Sequence, residues 1–338
     1  MKYIKRKIIK GIPYYYVETH SASTRPDRDI LTHSHFLGRA LPAPEDLKKE
    51  LWDFFSGMGK KNYENLSHEI KDYFPPGSTK KIERHRAMYN CLNHELFEGD
   101  FGLFTELFAV LFMLNSNRAE GSRVTRADIE KVIKRKIKPK TPMDREVINS
   151  IDALNFAFSK DFKWNRKSML LMHEKLLHDI EPDIAGMFKR ENNIVGGRYP
   201  TTPFEDVPRD IRRLLAWFKD EKKKRIYPPI TALQFHYKFE AIHPFLDGNG
   251  RVGRMLLNAF LIEKGFMPVI FFSGNHRAYC NAVQKAKNGK ELNLAKHFVE
   301  HTVKTWKAVE EYKREGKIKG GSPRFGRWEI NKGNIRVY

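Results

Sequence analysis

The chain has 338 residues, 41% of them hydrophobic, ample for a packed core, and 62 Lys and Arg against 41 Asp and Glu give a formal net charge of +21. That charge suits polyanionic partners, although the lysines are spread out and many fall on polar helix faces, as on a solvated basic surface. Only Cys91 and Cys280 occur, which excludes a disulfide framework and favours a reducing interior, and the best apolar run, Leu103 to Leu114, is too short and too interrupted by Thr105 and Glu106 to span a bilayer. With no apolar signal region behind Met1-Lys-Tyr-Ile-Lys-Arg-Lys, a cytoplasmic location is expected by default and no membrane partner is expected.

Residues 1–20 alternate and turn at Lys10-Gly11, as a β-hairpin does. Residues 21–39 read as polar and irregular; His20, His33 and His35 have no carboxylate or cysteine at ligand spacing beside them. Pro44, Glu45 and Asp46 open a helix carrying Leu47, Leu51, Phe54 and Phe55, which Gly57 and Gly59 are expected to end. Pro75-Pro-Gly-Ser-Thr79 reads as a linker, so residues 1–78 are expected to form an N-terminal extension. Helices are predicted over 81–97 and over 101–115, the second apolar enough to be buried, and Ser116 to Gly121 forms its terminus. A short helix over 124–134 leads into the densest basic run, Lys134 to Pro142, a solvated surface or a contact for an acidic partner.

Amphipathic helices follow over 144–158 and 165–178, in which His173 and His178 read as structural. The Gly, Asn and Pro density of residues 183–208 predicts a β-hairpin with a loop. Residues 207–220 are amphipathic again, and Pro228-Pro-Ile-Thr231 caps a helix that runs into His243. Asn249 to Lys264 is apolar nearly all round, as a central helix is; residues 266–272 form an extended connector, and helices are predicted over 277–287 and 293–314. The domain of residues 79–315 thus ends at a basic tail, 316–338, whose last twelve residues read as two short strands around Asn-Lys-Gly-Asn.

The chemistry is concentrated in His243-Pro-Phe-Leu-Asp-Gly-Asn-Gly-Arg-Val-Gly-Arg254. Free amides at the start of the central helix suit a phosphate at Gly248, Asn249 and Gly250, and Arg251 and Arg254, three apart, can close on neighbouring phosphates. Asp247 suits Mg2+, which takes one or two carboxylates and fills its shell with substrate oxygens. His243 is left as the base.

This stretch fits every specified position of H-x-F-x-[D/E]-G-N-G-R-x-x-R and so resembles the signature of the Fic (filamentation induced by cAMP) family. The resemblance implies a mainly α fold, a Fic-type helical bundle with a β-hairpin flap, here with small N- and C-terminal hairpins. It also implies transfer of AMP from ATP, with Mg2+, to a Ser, Thr or Tyr hydroxyl of a protein, the chain itself included. Ser116, Glu120 and Gly121 match the inhibitory pattern [S/T]-x-x-x-E-[G/N], which implies that Glu120 pairs with Arg254 and keeps it from the γ-phosphate. Ile194, Val195, Gly196, Gly197, Arg198 and Tyr199 fall where the flap docks its target by strand addition, and Tyr279 falls where the adenine pocket is lined. Removal of AMP by hydrolysis and transfer of another nucleotide remain alternatives inside the enzyme class, and a homo-oligomer is left open. Outside that class, the charge leaves a basic nucleic-acid-associated binding module, disfavoured because no basic cluster or aromatic repeat stands out on one element.

Overall fold

The computed structural model describes residues 3–22, 30–135, 140–196, 199–315, 329–331 and 334–336. Part of the basic run (136–139), Gly197 and Arg198 of the expected flap, and most of the 316–338 tail lie outside those residues. The chain divides into two compact units, Met1–Phe104 with Gly265–Met267, and Thr105–Lys264 with Pro268–Tyr338.

In the first unit, β1 (Ile4–Ile9) and β2 (Ile12–Ala22) form the expected hairpin, with Ile9 opposite Ile12 across the turn. A third strand, β3 (Ile30–Gly38), pairs antiparallel with β2 where an irregular segment was expected. Its alternation is carried by a histidine as well as a leucine: Leu31 and His33 are buried, and His33 Nε2 meets Ser21 Oγ at 2.9 Å, so the strand looks polar by composition. Helix α1 (Pro44–Glu64) runs straight through Gly57 and Gly59 instead of ending there. Gly59 is needed for packing: a Cβ on it would lie 3.0 Å from Arg84 Cα and 3.3 Å from Ala87 Cβ, so α3 (Ser78–Leu92) can approach only because that side chain is missing. Between them lies α2 (His68–Tyr73), and Pro75-Pro76-Gly77 is a tight turn into α3, with Gly77 at φ +70°. The units therefore part inside α4 (Glu98–Ala119) and not at residue 78, because α3 packs onto α1.

The second unit is helical: α5 (Arg126–Arg135), α6 (Pro142–Ala157), α7 (Arg166–Leu177), α8 (Val207–Glu221), α9 (Pro228–Ile242), α10 (Asn249–Glu263), α11 (His276–Lys287) and α12 (Leu292–Glu315). Local chemistry sets the helix starts. Thr141 and Asp144 form a reciprocal capping box on α6, and the Asn165 side chain accepts from Ser168 N on α7. Helix α10 is central, with every residue from Asn249 to Ile262 buried. Trp164 and Phe218 pack against its Phe260, with Phe218 4.5 Å from both Trp164 and Phe235, ring centre to ring centre. Asn258 of α10 donates to Val269 O and accepts from Val269 N, which fastens the extended connector that follows. Two short hairpins complete the unit, β4 (Ile194–Val195) with β5 (Tyr199–Pro200) and β6 (Glu329–Asn331) with β7 (Asn334–Arg336); the C-terminal strands pair with each other, and β3 takes the place beside β2. No helix among the described residues is long and apolar enough to cross a membrane.

His301 of α12 accepts from Phe272 N at 3.1 Å, and burial, then the charges of Lys304 and His297, bring its pKa down to about 4. On acidification the unfolded chain takes up a proton near pH 6.5 while the folded ring stays neutral, so this stabilisation is complete above pH 6.5 and is lost as the pH falls towards 4. The melting temperature should accordingly fall between pH 7 and pH 5, less steeply in His301→Phe; identical slopes would remove His301 from the account.

Candidate active site

Helix α9 ends at His243, whose backbone is left-handed at φ +50°, a conformation rare for a residue with a side chain. Its N–H still donates to Phe239 O at 2.9 Å, and its Nδ1 lies 3.6 Å from Glu240 Oε2, an ion-pair distance. Burial would push the Glu240 carboxyl up, but His243, His236 and Arg254 together bring it down to about 2, so it is a buried anion behind the ring.

The loop from Pro244 to Gly248 is held from inside. The Asn249 side chain accepts from Phe245 N at 2.9 Å and donates to Phe245 O at 2.8 Å, so at most one of its amide hydrogens is left for a ligand. Phe245 is fully buried and lies flat on His173, 3.9 Å away with planes 4° apart. Gly186 N donates to His173 Nδ1, which fixes the tautomer, and His173 Nε2 then donates to Asp247 O at 3.0 Å. Burial, then the opposing bond to Asp247, leave His173 with a pKa lowered to about 4, so it stays the neutral ring this geometry needs. Read as structural from the sequence, His173 is in fact the floor of the loop. No spacing signal could have joined it to a motif seventy residues on, whereas Glu240, three before His243 on one helix face, was open to notice.

Asp247 and Arg251, expected at metal and phosphate, meet each other at 2.5 Å; the carboxylate is 43% exposed and the guanidinium buried. Among the described residues, Arg251 Nε meets no acceptor. Arg254, 2% exposed, donates from Nε to Ser116 Oγ (3.1 Å) and from Nη2 to Ser116 O (2.9 Å) and Glu120 Oε1 (2.7 Å). Burial would lower its pKa, but Glu120 and other neighbouring groups raise it. Ser116 lies in the last turn of α4, and Gly121, at φ +90°, turns the chain away just after Glu120. The Glu120 carboxylate lies over the start of α10: a Cβ on Gly250 would run directly into its Oε1. An anion thus already occupies the anion-binding end of the helix.

Tyr279, expected to line the adenine pocket, is buried in a closed cluster, its hydroxyl on His236 Nε2 and its ring against Phe271. Of the expected flap, Ile194 pairs with Pro200 and Val195 with Tyr199, Gly196 turns at φ +60°, and Ile194 is exposed. This hairpin is tied to the histidine loop by two residues the sequence did not reveal. Lys189 N donates to Pro244 O and Asn193 Nδ2 to Phe245 O, while the buried Lys189 ammonium bridges Asn193 and Thr201 across the hairpin base.

Residues 163–261, which contain His243, both arginines and the hairpin, match the Fic/DOC family model. Those residues form a Fic/DOC domain. A protein adenylyltransferase Fic of Drosophila grimshawi is 30% identical over 152 residues, 45% of this chain and 31% of that protein. That of Drosophila melanogaster is 32% identical over 139 residues, 41% and 28%. The chain therefore spans about a third of the length of the curated relatives it matches. The fold is that of a Fic domain containing signaling protein from Bacteroides thetaiotaomicron (TM-score 0.61, 20% identity, 71% of this chain and 100% of that one). It also matches Fic-1 from C. elegans (TM-score 0.53, 19% identity, 81% and 99%).

Proposed function

We propose that this Fic protein transfers AMP from ATP to a Ser, Thr or Tyr hydroxyl of a protein, itself included, and is restrained by Glu120. The observation that carries this reading is the Glu120 carboxylate lying over Gly250 at the start of α10 and held by Arg254: an anion already stands there, and it belongs to the chain. ATP would place its phosphates along Gly248 to Gly250 with Arg251 and, once Glu120 withdraws, Arg254. Asp247 fits Mg2+ by its donor chemistry, since one accessible carboxylate plus phosphate oxygens is a set Mg2+ accepts, and among the described residues no cluster of three or more His, Cys, Asp or Glu offers a fuller cage. When bound there, the ion would neutralise phosphate charge.

A target segment paired along Ile194 to Tyr199 would bring its hydroxyl towards His243. His243 takes the hydroxyl proton, the oxygen forms a bond to the α-phosphorus, and the bond to pyrophosphate breaks, so that AMP stays on the protein and pyrophosphate leaves. Glu240 would hold the ring and steady the imidazolium formed in that step. Glu240→Gln, which keeps the shape and removes the charge, should lower kcat about tenfold or more while KM for ATP stays within about twofold; an unchanged kcat would leave Glu240 with packing alone. The reading as a whole is tested by incubating the protein with ATP labelled at the α-phosphate, with and without a cell extract, beside equally labelled GTP, CTP and UTP. Label from ATP should become covalently attached to protein. Label attached only from another nucleotide, or none from any, would overturn it.

A further inference from the structure

We propose that the outer face of the N-terminal sheet binds single-stranded nucleic acid. The inner face of β2 and β3 is occupied: Val17, Ser21, Leu31 and His33 are buried, and Ser21 reaches Asn62 of α1. The opposite face carries rings and cations together, because the register sets Lys5 opposite Tyr16, Lys7 opposite Tyr14 and Tyr16 opposite Phe36. Residues that lie up to 31 positions apart in sequence thus become one patch. Phe36, 49% exposed, lies 5.3 Å from Tyr16 and 6.1 Å from Tyr14, ring centre to ring centre. Lys7 Nζ stands 4.8 Å over the Tyr16 ring and Arg39 5.7 Å over that of Tyr14. Lys10 sits at the adjoining turn.

The charge selects the occupant. Among the described residues of this face and the turns bounding it, Lys5, Lys7, Lys10 and Arg39 stand against one carboxylate, Glu18, which lies 3.3 Å from Lys7. A second copy of this chain would bring the same positive charge against it. A polyanion fits, and partly exposed rings flanked by cations offer what an unpaired strand presents, base faces to stack and phosphates to neutralise. A duplex hides its base faces, so a sheet of rings has little to read there. The site is independent of the transferase reading, since it uses none of that site's residues.

The test is fluorescence anisotropy of the full chain with labelled oligothymidine and oligouridine of about 20 nucleotides, and with a duplex of like length, over a salt series. Single strands should bind more tightly than the duplex and weaken as salt rises. The double variant Tyr14→Ala with Phe36→Ala should bind about tenfold or more weakly. Lys5→Gln with Lys7→Gln, which leaves every ring in place and guards against a folding defect in the first pair, should bind more weakly and with a shallower salt dependence. No binding, preference for the duplex, binding unchanged in both double variants, or affinity seen only for phosphatidylserine vesicles or for the chain itself would each overturn the proposal.

Discussion

His243→Ala should reduce transfer of AMP by about a hundredfold to ten-thousandfold, the usual worth of a positioned general base, while ATP binding is retained. Retention is expected because the groups proposed to take the phosphates are at the start of α10 and on Arg251 and Arg254, and the loop is held by the side chains of Asn249 and His173. The backbone complicates the experiment. His243 sits at φ +50°, a region alanine favours less than histidine does, and truncation also removes the ring's packing, so a lower melting temperature alone would say nothing about chemistry. Asn tolerates the left-handed region and takes no proton near neutral pH, so His243→Asn should keep the fold and lose the transfer. Transfer at the unaltered rate in both variants would take the histidine out of the reaction.

Glu120→Gly should raise self-modification about 5- to 150-fold, the range of an ordinary coupling free energy. Arg254 would keep its two bonds to Ser116 and so remain aimed, while the space over Gly250 is vacated. The unbound variant should melt lower. Removing one partner from a buried ion pair costs about 3–5 kcal/mol, an upper figure here because the Glu120 side chain is 24% exposed. Nucleotide should restore much of that loss, as a phosphate takes over the carboxylate's place, so the ATP-induced rise in melting temperature should exceed that of the unaltered chain. If neither the rate nor the ATP-induced shift changes, the pair is only the way α4 ends.

The stretch His243 to Arg254 stood out in the sequence because its residue types are local: a base, an acid, three glycines and two arginines within one turn and the first coils of a helix need no tertiary information. Helix α10 was legible for a related reason, since a helix buried on all sides must be apolar on all sides. What escaped was whatever depended on a neighbour far along the chain. Gly59 reads as a helix end until α3 is seen pressing on it, and β3 reads as irregular until His33 is seen bonded to Ser21. His173 and Lys189 likewise owe their positions to Asp247 and Pro244. The basic and aromatic residues of the first sheet seemed scattered because only the strand register assembles them.

The missing side chain at position 250 ties two distant parts of the sequence together through shape alone. A descendant of this protein that acquired so much as a methyl group there would have to displace the Glu120 carboxylate, with every charged group still intact. The contact is therefore fragile in evolution: it can be abolished from the far side of the site by a change that looks conservative, and position 250 cannot drift without consequence for residue 120.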